Sequence, residues 1–193
     1  MGSSWPEILV VTSNKSKGEE ALEILRKLGV RARLVLMKKV EIQSESLEEI
    51  ALHAARTAYI NLRKPLVVDD SGLFIEALNG FPGPYSSYVY SKIGLRGILK
   101  LMENIDDRRA CFKTALALIL PPLEKVYTGT VCGYIAREPR GSHGFGFDPI
   151  FIPEGYTVTY AELSMEEKNR ISHRFKAYKA MVEDLVTKGI LRV

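Results

Sequence analysis

Two adjacent acids, Asp69 and Asp70, follow an apolar run at 66–68 that is typical of a buried strand. Ligand sites in open α/β sheets lie beyond the carboxyl ends of strands. Both acids could hold Mg²⁺ there, or one could hold it while the other takes a proton from water. Since successive strand residues point to opposite faces, the acids can share a site only if the strand ends or bulges. The alternative is a polar turn, with Asp70 or Ser71 bonded to nearby backbone.

The segment 12–17, Thr-Ser-Asn-Lys-Ser-Lys, lies between a buried strand and a helix predicted over 16–28. The amino end of a helix favours a phosphate, because it presents free N–H groups and the positive end of the helix dipole. Hydroxyl and amide side chains would add hydrogen bonds, and Lys17 would add a charge. The chain contains no Walker A loop. The alternative is that Ser13 or Asn14 only caps the helix.

Glu45 ends a polar segment, 41–45, that precedes a helix predicted over 47–62. A carboxylate in this position could be a further metal ligand. The alternative is that Glu45, with Glu48 and Glu49, compensates the dipole of the helix that follows.

Phenylalanine and glycine alternate in the segment 144–149, Gly-Phe-Gly-Phe-Asp-Pro. Because glycine lets the backbone approach closely, the rings of Phe145 and Phe147 could lie against a planar ligand. Asp148 could accept a hydrogen bond from a base N–H. The alternative is that both rings fill the hydrophobic core.

Cations cluster in the segment 167–174. On one continuous helix Lys168 and Ser172 share a face, whereas His173 and Arg174 turn away from it. All four can meet one ligand only if the helix breaks near Ser172, which could then cap a second helix. The alternative is a solvated basic face. Ahead of this segment, Ser164 and Glu167 have the spacing of a capping box.

The elements that must position these residues alternate between strand and helix early in the chain, and a hairpin follows later. Besides the two helices already described, we predict strands at 8–11, 31–36 and 66–68, short helices at 85–93 and 95–102, hairpin strands at 110–120 and 126–136, and a helical region from 164 to about 188. This order favours an α/β fold with a mixed sheet flanked by helices.

Composition excludes several classes of protein. The 193 residues carry a net charge of +4 with a pI near 9.0, which suits an anionic partner without requiring one. Two cysteines cannot form a disulfide framework or a four-ligand zinc site. No signal peptide and no membrane-spanning apolar run is evident. We therefore predict a soluble cytoplasmic protein with reduced cysteines.

Five segments together resemble the inosine triphosphate pyrophosphatases, also called XTP/dITP diphosphatases. They occur in the family's order and extend over most of the chain: 12–17, 68–73, 80–86, 144–151 and 167–174. The resemblance implies a single pyrophosphatase domain over 1–193, an elongated mixed sheet in two lobes with a substrate cleft between them. It also implies Mg²⁺-dependent hydrolysis of ITP, dITP and XTP to the monophosphate and pyrophosphate. Family members are usually homodimers.

The resemblance also implies roles for individual residues. Asp70, Lys17 and Asp69 would serve catalysis, and Glu45 and Asp70 would hold at least one Mg²⁺ per subunit, with Mn²⁺ as an alternative ion. The residues implied to bind substrate are Thr12, Ser13, Asn14, Lys17, Ser71, Phe145, Gly146, Phe147, Asp148, Lys168, Ser172, His173 and Arg174.

Two positions depart from the family pattern. Relatives often have Trp at the position of Phe147, and many have Lys at the position of Ala54, where the nearest cation of this chain is Arg56. A different class of function is a nucleotide-binding or nucleic-acid-binding module without catalysis, whose affinity for nucleic acid would fall steeply with salt. The acids at the proposed site argue against it, and we predict no stable nucleic-acid partner and no membrane partner.

Overall fold

The computed structural model describes residues 7–38, 40 and 42–191. The strands are β1 (Ile8–Thr12), β2 (Ala32–Leu36), β3 (Leu66–Ile75), β4 (Pro82–Gly83), β5 (Arg109–Leu120), β6 (Leu123–Ile135) and β7 (Phe151–Pro153). The α-helices are α1 (Lys15–Lys27), α2 (Leu47–Leu62), α3 (Ser86–Leu101), α4 (Met165–Ile171) and α5 (His173–Thr187). Short 3₁₀ turns cover Glu76–Leu78, Asp148–Ile150 and Tyr160–Glu162.

The strands form one mixed sheet in the order β2-β1-β3-β5-β6-β7, with β4 paired to β3. β1 is parallel to both of its neighbours, and Val10 is opposite Leu34 on one side and Val67 on the other. β4 is antiparallel to β3, and β7 is antiparallel to β6. The predicted fold class, a mixed α/β sheet flanked by helices, is confirmed.

The described chain forms two compact units. Unit 1 contains the described residues of 1–70, 114–129 and 174–193, and unit 2 contains 71–113 and 130–173. Each unit has an apolar core of its own. In unit 1, α1 and α5 pack on the sheet through residues such as Ile24, Leu25 and Met181. In unit 2, the core includes Phe112, Phe151 and other residues of β3, α3, β5 and β6.

The predicted end of β3 is wrong. We expected the strand to stop at the acids, but it continues through Asp69 and Asp70 to Ile75. The apolar residues Leu73 and Ile75 lie beyond the acids and are buried, so packing outweighs the turn-forming tendency of the Asp-Asp-Ser-Gly sequence. The consequence for the two acids is that they project from opposite faces of a continuous strand.

The prediction of reduced cysteines is also contradicted, because Cys111 on β5 and Cys132 on β6 form a disulfide. The hairpin explains the pairing. Cys111 lies ten residues before Pro121, and Cys132 lies ten residues after Pro122, so the turn brings them opposite each other. The number of cysteines excludes a framework of several disulfides, but the prediction did not consider that both cysteines are equally far from the turn.

The predicted break in the C-terminal helical region is confirmed. α4 ends at Ile171, Ser172 has an extended backbone with φ −67° and ψ 153°, and α5 begins at His173. The capping box at the start of α4 is present, since Ser164 accepts from the N–H of Glu167 and the Glu167 carboxylate accepts from the N–H of Ser164. None of the helices in the described part of the chain has both the length and the apolar character needed to span a lipid bilayer.

Candidate functional site

Polar residues at the amino end of α1 bond to one another and to the backbone. The Asn14 side chain caps the helix, with its Oδ1 accepting from the Lys17 N–H at 3.2 Å. The Thr12 hydroxyl accepts from the Asn14 N–H at 3.1 Å. Ser13 is exposed, and the first turn of the helix contains no acid. Capping by Asn14 is therefore observed, and phosphate binding by this group stays a prediction.

Asp69 belongs to a buried ion-pair cluster in unit 1. The Arg174 guanidinium lies 3.2 Å from Asp69 Oδ2 and 3.1 Å from Glu20 Oε1. The three side chains are only 2%, 1% and 4% exposed for Asp69, Arg174 and Glu20. Burial by itself lowers the pKa of the guanidinium, but the two carboxylates outweigh it and raise that pKa above its ordinary value. Arg174 therefore fixes the position of Asp69, whereas its predicted contact with a substrate base stays a prediction.

Burial also affects Tyr178, which lies on α5 close to the same cluster. Burial and the charge of Asp69 raise the pKa of the Tyr178 hydroxyl well above its ordinary value, although the charge of Arg174 opposes this shift. The phenol therefore stays neutral near Asp69.

Asp70 is buried on the opposite face of β3 from Asp69, and Glu45 is exposed in the segment before α2. Glu41, the other acid of that segment, lies outside the described residues. Among the residues that are described, no group of three or more Asp, Glu, His or Cys side chains is suited to a metal ion. Carboxylate oxygens are nevertheless the donors that Mg²⁺ prefers, and this ion commonly takes only one or two of them from a protein. The donor chemistry of Glu45 and Asp70 thus fits Mg²⁺.

A second group of predicted residues comes together in unit 2, around Lys168. The Lys168 Nζ lies 2.7 Å from Asp148 Oδ2, and both side chains are at most 5% exposed. The same ammonium lies 4.8 Å from the centre of the Phe145 ring and 5.6 Å from that of Tyr160. Asp148 Oδ2 also accepts from the Phe145 N–H at 2.9 Å. This arrangement places a hydrogen-bonding cation beside a partly exposed aromatic ring.

The glycines of this loop are required by its geometry. Gly144 and Gly146 have φ values of 75° and 60°, in the left-handed region that other residues rarely adopt. A Cβ on Gly144 would collide with the Asp148 carboxylate. Phe147 is buried in the core of unit 2 and packs edge-on against Tyr90 at 5.4 Å between ring centres. Its predicted contact with a base stays untested, and Phe145 is the more accessible ring.

The helix break presents Ser172 and His173 to different surroundings. The Ser172 N–H closes α4 by donating to the Lys168 carbonyl oxygen at 2.8 Å. His173 is buried, and its imidazole stacks on the Phe112 ring with 4.8 Å between centres and 9° between planes. The side chain therefore has a fixed orientation. Ser71, the remaining predicted substrate residue of unit 2, is partly exposed on β3.

Sequence reasoning missed three residues of these clusters. Glu20 lies four residues before buried Ile24, so the helical period already placed this acid on the buried side of α1. Tyr160 and Phe112 carried no comparable signal, because an aromatic residue in a core segment has no distinguishing pattern. Arg56, the nearest cation to the missing helix lysine, is engaged by Glu124, whose Oε1 lies 3.0 Å from the Arg56 Nε.

Known proteins are similar to this chain over most of its length. The model of the Ham1 family matches residues 8–184. The chain is 52% identical over 174 residues to a dITP/XTP pyrophosphatase of Hyperthermus butylicus, covering 90% of this chain and 92% of that protein. It is 51% identical over 179 residues to the dITP/XTP pyrophosphatase of Saccharolobus solfataricus, covering 93% of each. The solved structure of a HAM1 protein from Coxiella burnetii superposes with a TM-score of 0.82 at 34% identity, covering 94% of this chain and 99% of that one. These matches confirm the resemblance drawn from the five segments, and the chain belongs to the Ham1 family.

Proposed function

We propose that this chain hydrolyses the triphosphates of deaminated purines, dITP, XTP and ITP, to the monophosphate and pyrophosphate. The observation that carries the proposal is the 52% identity, over 90% of the chain, with a protein named dITP/XTP pyrophosphatase. The cation, ring and carboxylate brought together by Lys168, Phe145 and Asp148 support it. As an enzyme of the nucleotide pool the protein would act in the cytoplasm, and we include that location in the proposal.

Lys168 provides the means of selecting the base. Inosine and xanthine carry a 6-oxo group where adenine carries an amine, and an ammonium can donate hydrogen bonds but cannot accept them. With the base against the Phe145 ring, Lys168 would donate to the 6-oxo group, whereas the amine of adenine would face an ammonium that cannot accept from it. An unsatisfied buried donor costs about 1–3 kcal/mol, which corresponds to about a 5-fold to 150-fold preference for dITP over dATP.

The amino end of α1 would hold the phosphates. Thr12, Ser13, Asn14 and Lys17 lie at the positive end of a 13-residue helix, which favours an anion. Binding would require the Lys17 ammonium to neutralise part of the charge on the triphosphate. This neutralisation favours attack of water at the α-phosphorus, because negative charge otherwise repels the nucleophile.

Glu45 and Asp70 would hold Mg²⁺, with Mn²⁺ as an alternative ion. When bound, the ion supplies charge neutralisation on the phosphate oxygens. Asp70 is the residue that would accept the proton of the attacking water. Asp69, held by Arg174 on the other face of β3, would keep that strand in position.

Product analysis on a panel of nucleotides tests the reaction. The protein is incubated with Mg²⁺ and dITP, XTP, ITP, dATP or dGTP, and the products are separated by ion exchange. We expect monophosphate and pyrophosphate from the first three nucleotides and slower turnover of dATP; because guanine also carries a 6-oxo group, dGTP measures selection that Lys168 does not supply. Diphosphate and orthophosphate would indicate a different phosphatase, and the absence of turnover with either Mg²⁺ or Mn²⁺ would exclude the proposed activity.

Asp70→Asn tests the role of the proton acceptor. The amide keeps the size of the side chain but loses its charge, so turnover of dITP should be abolished while nucleotide binding, measured by calorimetry, is retained. Asp106→Asn, a substitution of an exposed acid in unit 2, is the matched control and should keep full activity. Activity retained in Asp70→Asn would remove this residue from the catalytic role.

We include a homodimer in the proposal. Exposed apolar side chains on α3 support it, because Tyr88, Tyr90 and Ile93 are 65%, 41% and 43% exposed. Light scattering after size exclusion should give twice the mass of the 21.6-kDa chain. Tyr88→Glu should shift the protein towards the monomer, and a monomeric parent protein would contradict this part of the proposal.

A further inference from the structure

A cavity of about 430 Å³ in unit 2 lies apart from every predicted substrate residue. Residues of the segment 99–104, at the carboxyl end of α3, form one wall. Arg108, just before β5, and Arg137, just after β6, form the other. This volume lies within the range of small-molecule sites, which is about 300–1,000 Å³.

Arg108 is held rigidly at the cavity by three backbone carbonyl oxygens. Its Nε donates to Ile135 at 2.9 Å, its Nη1 to Met102 at 2.8 Å and its Nη2 to Ala136 at 2.7 Å. A guanidinium has five N–H groups. One N–H on each Nη therefore has no acceptor among the described residues, in a group whose orientation is already fixed.

The charges around the cavity are unbalanced. Lys100, Arg108 and Arg137 line it together with one acid, Glu103. None of the three cations forms an ion pair with a carboxylate in the part of the chain that is described. Burial lowers the pKa of Arg108, and the nearby charge of Arg137 lowers it further. The charge of Arg137 thus acts on Arg108, and Glu103 is the one acid among the lining residues to offset three cations.

We propose that this cavity binds a small phosphate-bearing anion through Arg108, Arg137 and Lys100. The fixed guanidinium keeps one N–H on each Nη for a ligand, and guanidinium donors suit the oxygens of a phosphate group. A multiply charged anion matches three cations better than a monocarboxylate does. Glu103 faces the cavity as well, so the site favours a ligand with its charge concentrated at one end.

The cavity can accommodate either a free phosphate or a phosphate with a small attached group, and the test separates these sources. Backbone amide spectra of the full chain, recorded with divalent metal chelated, are followed during titration with inorganic phosphate, pyrophosphate and inosine monophosphate. The amides of 99–104 and Arg137 should shift and saturate. If inorganic phosphate and inosine monophosphate bind with equal affinity, the cavity holds the phosphate group alone. If inosine monophosphate binds more tightly, the nucleoside enters the cavity as well. Either result supports the site.

Arg137→Ala is the test variant, because the side chain is exposed and its removal leaves no buried cavity. We expect the apparent Kd at these amides to rise at least about tenfold, the ratio that corresponds to about 1.4 kcal/mol. Arg96→Ala removes an exposed cation of α3 that does not line the cavity, and it should leave the Kd unchanged.

Three results would overturn the proposal. The first is that the amide shifts do not saturate by about 10 mM anion, which is tenfold above a millimolar Kd. The second is that sodium chloride at the same ionic strength reproduces the shifts. The third is that Arg137→Ala leaves the Kd unchanged. Because the readout is local and needs no turnover, these results are independent of whether the chain hydrolyses dITP.

Discussion

Replacing Arg174 with methionine tests whether the buried ion-pair cluster holds unit 1 together. The substitution keeps the length and much of the volume of the side chain but removes the charge that faces Asp69 and Glu20. The matched control is Arg170→Met on α4. That arginine also bonds to a carboxylate, at 2.7 Å from Glu166, but the two side chains are 70% and 60% exposed.

The difference in burial sets the expected magnitudes. An exposed ion pair contributes about 0–1 kcal/mol, so Arg170→Met should change the free energy of unfolding by no more than that. Removing one partner of a buried pair costs about 3–5 kcal/mol. Arg174→Met removes the guanidinium that pairs with both carboxylates, so we expect the free energy of unfolding to fall by that amount or more. This loss is a large share of the total free energy of unfolding of a typical protein, about 5–15 kcal/mol.

Guanidinium chloride unfolding, followed by circular dichroism, measures both variants. Removing Arg174 leaves the two carboxylates desolvated, which raises their folded-state pKa values above those of the unfolded chain. Such groups stabilise the folded state at low pH and lose that effect as the pH rises through the folded pKa. The deficit of Arg174→Met should therefore shrink as the pH is lowered from neutrality.

A second substitution separates charge from packing. Adding Glu20→Gln to Arg174→Met removes one of the two carboxylates, so the double variant should be more stable at pH 7 than Arg174→Met alone. If Arg174→Met costs no more than Arg170→Met, or if Glu20→Gln destabilises it further, the cluster does not stabilise the fold through charge.

Three further predictions concern other parts of the chain. Ser164→Ala removes the cap of α4 and should lower the free energy of unfolding by about 0.5–2 kcal/mol, and an unchanged denaturation midpoint would contradict the capping assignment. Reducing the Cys111–Cys132 disulfide, whose partners are 21 residues apart, should lower the free energy of unfolding by about 3 kcal/mol according to the chain-entropy relation. The stability of a variant with serine at both positions should not respond to dithiothreitol. The Arg109 guanidinium lowers the pKa of the Asp107 carboxyl to about 2, so that carboxylate should titrate near this value by NMR and return towards 3.8 in Arg109→Ala. Its stabilising effect is present above the unfolded pKa and is lost as the pH falls through about 2.

The long elements of the fold could be predicted from the sequence, because each carries a periodic apolar pattern and a clear end. α2 was predicted at its observed bounds, Leu47–Leu62, and the hairpin was located by its two prolines. The break at Ser172 followed from the requirement that Lys168 and His173 serve one ligand. The predicted end of β3 was wrong because the polar residues of this strand resemble a turn. Only the burial of the apolar residues beyond them shows that the strand continues.

The sequence identified candidate site residues, and it did not indicate which of them contact one another. Asp148, Lys168 and Phe145 were each identified from motifs, yet nothing in their spacing indicated that one ammonium contacts both others. Glu20 was missed because an acid on a helix is normally solvated. Pairing between distant segments depends on tertiary packing, which a single sequence does not specify.

The uninterrupted course of β3 has an evolutionary consequence. Asp69 and Asp70 face opposite ways, so inserting or deleting one residue between 66 and 68 would exchange them, burying the second acid against Arg174 and turning the first away. Descendants of this chain can thus vary the apolar side chains at 66–68, but the number of residues in this segment has to stay the same.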